Sequence, residues 1–292
     1  KPEKTEDEED EFWRKFLEKF KPRTEKIKIF EVRIVERPVF EGNVDCRGYV
    51  FPHDLQFGFA VFKGEADFSR AKFLGYAYFF GAEFSGDANF SHAEFSDANF
   101  SCAKFSHADF SGAEFSGDAY FSGAEFSNAD FSGAEFSHAD FSGAEFSYVN
   151  FSGAEFSGDA DFVNAKFSNA RFFDAKFSGD AYFFDAEFSH ADFSDAEFSY
   201  VNFSHAKFSG DADFSGAEFS NARFSDVEFS NAYFLHAKFS NAYFKECKFN
   251  KEAKFDNAEF LETADFSRAE FPDTKDLTDF VSFRNVYFKN QR

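Results

Sequence analysis

The chain has 292 residues, a formal net charge of −22 and 55 phenylalanines. This acidic balance excludes a nucleic-acid-binding surface built on lysine and arginine, and the lack of any apolar run of about 18 residues excludes a membrane-spanning helix. The three cysteines lie far apart in sequence, which argues against a disulfide framework and fits a reducing compartment. We therefore expect a cytoplasmic protein, although a cleaved leader is compatible with a chain that begins at Lys1 and contains no methionine.

Residues 1–25 are predicted to form an acidic tail and a short amphipathic helix. The first ten residues are mostly charged and contain no large apolar side chain, which is typical of disorder. The following stretch carries an apolar stripe at helical spacing. A lid packed on the rest of the chain is the simpler interpretation of this stripe. The alternative is a docking helix for a partner or a second subunit, formed by Phe12, Trp13, Phe16, Leu17 and Phe20.

Residues 26–61 are predicted to form an irregular N-terminal cap. Residues 27–29 and 32–34 alternate in opposite phases, which indicates two short strand-like runs with a slip or bulge near Phe30. From residue 43 to residue 61 the aromatic spacing is loose, and we expect one or two irregular coils of the architecture that follows.

A five-residue unit repeats from Phe62 to Phe271. Residues 128–156 read NADFSGAEFSHADFSGAEFSYVNFSGAEF, in which a small residue, a polar residue, phenylalanine, serine and a variable residue recur with little change. Residues spaced five apart would lie on different sides of a helix instead of along one face. The serine, glycine and aspartate content favours turns. The repeat predicts a chain that turns a corner every five residues, with phenylalanine and the small residue two before it pointing the same way.

This pattern resembles the pentapeptide-repeat family, whose unit is a small residue, Asp or Asn, Leu or Phe, Ser or Thr, and a variable residue. The resemblance covers residues 62–271 and implies an all-β, right-handed quadrilateral β-helix with four units per coil, hence about ten coils. It also implies that pairs such as Phe126 and Ala124 fill the interior. The chain departs from the family in using phenylalanine at every central position. Residues 272–292 break the pattern, resume it weakly, and are predicted to form a C-terminal cap.

Two alternations within the repeat indicate a ten-residue unit with two kinds of face. Nine links between successive phenylalanines have six residues, and all of them lead into odd-numbered units when Phe62 is unit zero. We expect the extra residue at two opposite corners, where its glycine suits a positive φ or a tight turn. After the opening unit, even units carry Glu or Lys before phenylalanine, whereas odd units carry mainly Asp, Asn, Tyr or Arg.

Side chains four units apart are predicted to become vertical neighbours, so the even units form two charged columns. One column nearly alternates in sign, beginning with Glu83, Lys104 and Glu125. The other contains our candidate interaction face, which consists of Glu94, Glu114, Glu135 and Glu155. Stacked like charges are unfavourable and thus indicate a binding role, although duplication of an acidic unit on a solvated face is the simpler interpretation. If this face does not bind, the tyrosine-bearing odd face is the next surface to consider.

No catalytic or metal-binding constellation stands out. Six of the seven histidines scatter over the corners of the coil, serine follows nearly every phenylalanine as a turn residue, and there is no phosphate loop or nucleotide fingerprint. We therefore expect no enzymatic activity, no cofactor, no metal site and no direct nucleic-acid binding.

The function that the sequence favours is a structural or interaction module, a rigid acidic rod that presents charged faces to a protein partner. The partner would be basic or DNA-binding, and homodimerisation through either end is also open. The alternative function is a DNA mimic that binds a type II topoisomerase or another DNA-binding protein. The resemblance permits this alternative, because some pentapeptide-repeat proteins bind DNA gyrase in place of DNA.

Overall fold

The computed structural model describes residues 11, 14–16, 18–29, 33–272 and 281–289, and the predicted acidic tail at residues 1–10 lies outside them. Helical residues lie within 11–20, and the rest of the regular structure is β-strand. The first sixteen strands are β1 Arg23–Ile29, β2 Arg33–Phe40, β3 Val44–Asp45, β4 Val50–Phe51, β5 Leu55–Gln56, β6 Val61–Phe62, β7 Ala66–Asp67, β8 Lys72–Tyr78, β9 Glu83–Asn89, β10 Glu94–Asn99, β11 Lys104–Asp109, β12 Glu114–Tyr120, β13 Glu125–Phe126, β14 Ala129–Asp130, β15 Glu135–Asp140 and β16 Glu145–Phe146. The others are β17 Val149–Asn150, β18 Glu155–Phe156, β19 Ala160–Asp161, β20 Lys166–Arg171, β21 Lys176–Tyr182, β22 Glu187–Asp192, β23 Glu197–Asn202, β24 Lys207–Asp213, β25 Glu218–Arg223, β26 Glu228–Tyr233, β27 Lys238–Tyr243, β28 Lys248–Phe249, β29 Ala253–Lys254, β30 Glu259–Asp265, β31 Val281–Ser282 and β32 Tyr287–Phe288.

Phenylalanine rings fill the interior of a β-solenoid in four columns. The ring of Phe115 stacks between those of Phe95 and Phe136, with centroids 4.7 and 4.9 Å away and planes within 5° of parallel. This rise matches the separation of neighbouring strands in a sheet, so backbone pairing and ring stacking reinforce each other. The central rings of the repeat are buried from Phe62 to Phe260. The prediction of a four-sided β-helix with phenylalanine inside is confirmed.

The coil before Phe62 is already in register with the repeat. Phe40 stacks on Phe62 with the ring centroids 4.8 Å apart, and Phe51 stacks on Phe73 at the same distance. The buried Cys46 takes the place of a phenylalanine in this coil. Counted along the column from Phe40 to Phe271, the solenoid has eleven stacking steps.

The N-terminal strands β1 and β2 form an antiparallel hairpin, with Arg23 opposite Val39 and Ile29 opposite Arg33. Both strand-like runs of the sequence are therefore strands. The register of the two arms is continuous over their described lengths, and the predicted slip near Phe30 stays a prediction. Residues 30–32 themselves lie outside the described residues.

The helical residues close the N-terminal end of the ring columns. The Phe16 side chain is 1% exposed, and its ring lies 6.0 Å from that of Phe51 and 5.6 Å from that of Phe57. Phe20 packs against the same cluster. At the other end, the rings of Phe283 and Phe288 extend two columns by one step and are 41% and 46% exposed.

The four corners of each coil are of two kinds. At the corners that follow odd units, a turn places its third residue in the left-handed region, as in Gly112 (φ 60°) and Asn164 (φ 58°), which is the requirement of a type II turn. The six-residue links lie at the other two corners, as predicted, and shift the strand register there.

A positive φ and a tight turn were the two roles predicted for the glycines of the six-residue links, and the first is wrong, since none of them has a positive φ. These glycines are needed for close approach instead. A Cβ atom on Gly86 would lie 2.6 Å from the carbonyl oxygen of Gly64 in the preceding coil.

Candidate interaction faces

Each coil presents four faces, which we name by their outward side chains. In chain order these are the first Glu/Lys face, the Asp/Asn face, the second Glu/Lys face and the Tyr face. Their columns begin, respectively, with Glu83 and Lys104, with Asp67 and Asn89, with Lys72 and Glu94, and with Tyr78 and Asn99.

The candidate residues stack on the second Glu/Lys face. Parallel pairing puts Glu94 beside Glu114, Glu114 beside Glu135, and Glu135 beside Glu155. The structure thus brings all four predicted carboxylates into one vertical run. Each comes from the start of a strand, where the preceding alanine and the following phenylalanine point inward and leave the charged side chain on the surface.

Ion pairing divides this run. Lys72 Nζ lies 2.6 Å from Glu94 Oε1 and compensates the first carboxylate. Within the described part of the chain, no ion pair reaches Glu114, Glu135 or Glu155. We call these three residues the Glu triad.

The first Glu/Lys face is better compensated. Lys104 pairs with Glu125 at 2.7 Å, and Lys166 pairs with Glu145 at 3.0 Å. At the N-terminal end, Arg37 of β2 reaches Glu83 at 2.9 Å. The near-alternation of charge along this column therefore produces real contacts, although ion pairs on an exposed surface add little stability.

The Asp/Asn face and the Tyr face use their polar side chains differently. Asp109 and its equivalents accept the backbone N–H of the residue two positions later, at 2.9 Å in the Asp109–Ser111 pair. The same bond recurs at Asn89 and Asp140. These hydrogen bonds hold the left-handed corner, so Asp and Asn on odd units serve the turn. Sequence reasoning missed this role, although Asp and Asn precede phenylalanine only in odd units and this restriction indicated it.

The Tyr face carries two tyrosines whose hydroxyls are already engaged. Tyr120 donates to Asp118 Oδ2 and Tyr182 donates to Asp180 Oδ2, each at 2.9 Å. The hydrogen bond to the Asp180 carboxylate raises the pKa of Tyr182 to about 12. Burial, with a smaller contribution from Asp140, raises the pKa of Asp161 on the same face.

Only part of the predicted docking helix is described. Phe16 and Phe20 pack on the first coil, as a lid does, so the core already uses these two side chains. Phe12, Trp13 and Leu17 lie outside the described residues, and a docking role for them stays a prediction.

The other chemistry of the chain is sparse where the structure describes it. No group of three His, Cys, Asp or Glu residues could hold a metal ion among the described residues. The three cysteines are free, and burial raises the pKa of Cys46 and of Cys247 to about 12. No helix in the described ranges is both long and apolar enough to cross a membrane.

Comparison with solved structures gives weak similarities. HetL, a pentapeptide repeat protein involved in heterocyst differentiation regulation from the cyanobacterium Nostoc sp. strain PCC 7120, is 17% identical, covers 78% of this chain and 87% of its own, and has a TM-score of 0.31. Full-length QnrB1, a plasmid-mediated fluoroquinolone resistance protein, is 17% identical, covers 85% and 92%, and has a TM-score of 0.23. TM-scores this low carry no argument about function. No curated protein sequence matches the chain significantly.

Family models give the decisive comparison. A model of pentapeptide repeats in eight copies matches residues 77–117 and 119–158, a nine-copy model matches 141–187, and a pentapeptide repeat region matches 181–260. These matches cover more than half of the chain and coincide with the stacked coils. The chain belongs to the pentapeptide-repeat family.

Proposed function

We propose that this protein is a non-enzymatic interaction module, a rigid acidic rod whose second Glu/Lys face binds a basic segment of a protein partner. The Glu triad is the observation that carries the proposal, because Glu114, Glu135 and Glu155 are register neighbours without an ion pair in the described structure. The free thiols support a cytoplasmic location.

The electrostatic cost of the Glu triad supports a binding role. The phenylalanine rings beneath the triad are 4.9 Å apart, and at that spacing two unit charges repel by about 0.9 kcal/mol in bulk water. The repulsion is larger beside a low-dielectric core. A basic segment laid along the column would relieve it, which gives the partner a gain beyond its own ion pairs.

A nonalysine peptide provides a direct test. We expect Glu114→Gln, Glu135→Gln and Glu155→Gln together to weaken its binding by at least tenfold. A matched triple variant with Glu125→Gln, Glu145→Gln and Glu218→Gln removes the same charge from carboxylates that each form an ion pair with a lysine, and it should retain most of the affinity. Equal losses in the two triple variants would show that net charge, and not the Glu triad, determines binding.

DNA mimicry is the second candidate function, and one observation favours it. Residues 81–160 contain 14 acidic residues against a single lysine, a net charge of −13. These residues span about four coils, or roughly one net charge per 1.5 Å, compared with about one per 1.7 Å of B-DNA. If the chain is a mimic, it should displace DNA from a type II topoisomerase. Failure to do so at concentrations that saturate nonalysine binding would eliminate DNA mimicry toward this class of enzyme.

A further inference from the structure

The second Glu/Lys face and the Tyr face are joined through the strands that form them. Strand β12 carries Glu114 at its start on one face and Tyr120 at its end on the other. The corner between them is lined by Asp97, Asp118, His138, Asp159 and Asp180, which lie one above another in successive coils. The acidic surface therefore continues from the Glu triad around this corner and onto the Tyr face.

Two tyrosines bracket two aspartates on the Tyr face. The strand register places Tyr120 beside Asp140, Asp140 beside Asp161, and Asp161 beside Tyr182. The interior rings at these levels are 4.7, 5.0 and 4.7 Å apart, so the column spans about 14 Å. Because both tyrosine hydroxyls are already bonded to Asp118 and Asp180, the π faces of the rings are what these side chains offer a partner.

Asp161 has fewer hydrogen-bond donors than Asp140, its neighbour in the preceding coil. The carboxylate of Asp140 accepts the Ser142 hydroxyl at 2.6 Å as well as the Ser142 backbone N–H. At Asp161 the corresponding residue is Val163, which supplies its backbone N–H at 2.8 Å but has no hydroxyl. This half-buried carboxylate therefore retains acceptor capacity between the two tyrosine rings.

The same surface already holds one guanidinium of the chain itself. The Arg223 guanidinium carbon lies 5.8 Å from the ring centroid of Tyr200, whose ring meets that of Tyr182 edge-on with the centroids 6.3 Å apart. Guanidinium groups are attracted to the faces of aromatic rings and also pair with carboxylates in a planar fork. Arg223 shows that the end of this surface near Tyr182 accepts such a group.

We propose that Tyr120, Asp140, Asp161 and Tyr182 form a docking site for the arginine side chains of the basic segment that the Glu triad attracts. The inference rests on the proposed function and adds a preference for arginine over lysine. An ammonium group can satisfy the carboxylates, but it lacks the flat guanidinium that stacks on a ring while donating to a neighbouring carboxylate. Charge complementarity supplies the general attraction, and the bracketing tyrosines supply the selectivity.

Two peptides of equal charge, nona-arginine and nonalysine, separate these contributions. We expect the wild-type chain to bind nona-arginine roughly five- to tenfold more tightly than nonalysine, which corresponds to two exposed cation–π contacts. The double variant Tyr120→Leu, Tyr182→Leu should reduce this ratio to about the value set by carboxylate pairing alone, near twofold. Its nonalysine affinity should stay within about twofold of wild type, since the carboxylates remain.

Two further variants show whether a loss of the arginine preference comes from the missing rings or from misfolding. The double variant Tyr120→Phe, Tyr182→Phe retains both rings and should retain the preference for arginine. Tyr233→Leu alters a tyrosine on the Asp/Asn face, outside the docking site, and should also leave the preference unchanged. A ratio that survives the leucine substitutions, or a wild-type ratio of one, overturns the arginine site while leaving the proposed function standing. Failure to bind either peptide overturns both.

Discussion

The carboxylate of Asp109 accepts two hydrogen bonds from Ser111, one from its backbone N–H at 2.9 Å and one from its hydroxyl at 2.6 Å. The pair secures the corner at which Gly112 takes φ 60° and the Ala113 N–H bonds to Phe110 at 3.0 Å. Only a short side chain reaches back to this turn. The placement of Asp and Asn on odd units, with Glu and Lys on even units, is therefore a consequence of turn geometry.

Removal of the Asp109 carboxylate should destabilise the solenoid, whereas its replacement by an amide should not. We expect Asp109→Ala to lose about 1–2 kcal/mol of unfolding free energy, because two hydrogen bonds at the turn disappear. Asp109→Asn keeps the acceptor oxygen, as Asn89 and Asn150 do in the same column. The denaturant midpoints of the two variants measure the difference, and similar losses would contradict the assigned role of the side chain.

Truncation of one interior ring should be costly. Phe136 is 2% exposed and stacks on Phe115 and Phe156, each with a centroid distance of 4.9 Å. Phe136→Ala should therefore reduce the unfolding free energy by about 3–5 kcal/mol, since both apolar burial and stacking are lost. Ser137→Ala at the adjoining corner is the control and should cost far less. Comparable midpoints for the two variants would be inconsistent with the observed packing.

Glycine at a six-residue link should be less replaceable than glycine at a left-handed corner. A Cβ atom on Gly86 would meet the backbone of Gly64 at 2.6 Å, so Gly86→Ala should cost about 1–3 kcal/mol through overpacking. Gly133 has φ 60° and open space around it, and Asn257 occupies the same corner of a later coil. Thermal unfolding should show that Gly133→Asn is nearly neutral, because asparagine tolerates this conformation. The reverse order of stability would refute the close-approach explanation.

Asp161 should make the stability of the solenoid depend on pH. Because its folded pKa is raised above the ordinary 3.8, the group contributes stability below that value and loses this contribution as pH rises through the folded pKa. Asp161→Asn should therefore become more stable than wild type between acidic and neutral pH, by less than about 1 kcal/mol because the site is partly solvated.

A variant at Val163 provides the matched control for this pH dependence. Val163→Ser restores the hydroxyl that Ser142 provides to Asp140, and it should reduce the pH dependence without removing the carboxylate. Denaturation midpoints measured from pH 4 to pH 7 compare the three proteins. A wild-type advantage over Asp161→Asn at neutral pH would contradict the account.

The sequence was sufficient to predict those features that repeat in every coil. Burial of phenylalanine and alanine at fixed spacing predicts the four ring columns, and counting in fours predicts that Glu114 meets Glu135 across neighbouring coils. Features that depend on contacts between particular coils were not predictable. The glycine of a six-residue link such as Gly86 is selected by the backbone below it, and the hairpin of β1 and β2 reverses direction where the sequence shows only a change of phase.

The salt dependence of nonalysine binding tests the central claim most directly. If the peptide binds the Glu triad through its charge, the affinity of the wild-type chain should fall steeply between low salt and physiological salt, where the Debye length shortens to about 8 Å. The triple variant Glu114→Gln, Glu135→Gln, Glu155→Gln should show a much shallower slope of log affinity against log salt. Wild-type and variant slopes that coincide, or an affinity that is independent of salt, would contradict the proposal that this face is the binding surface.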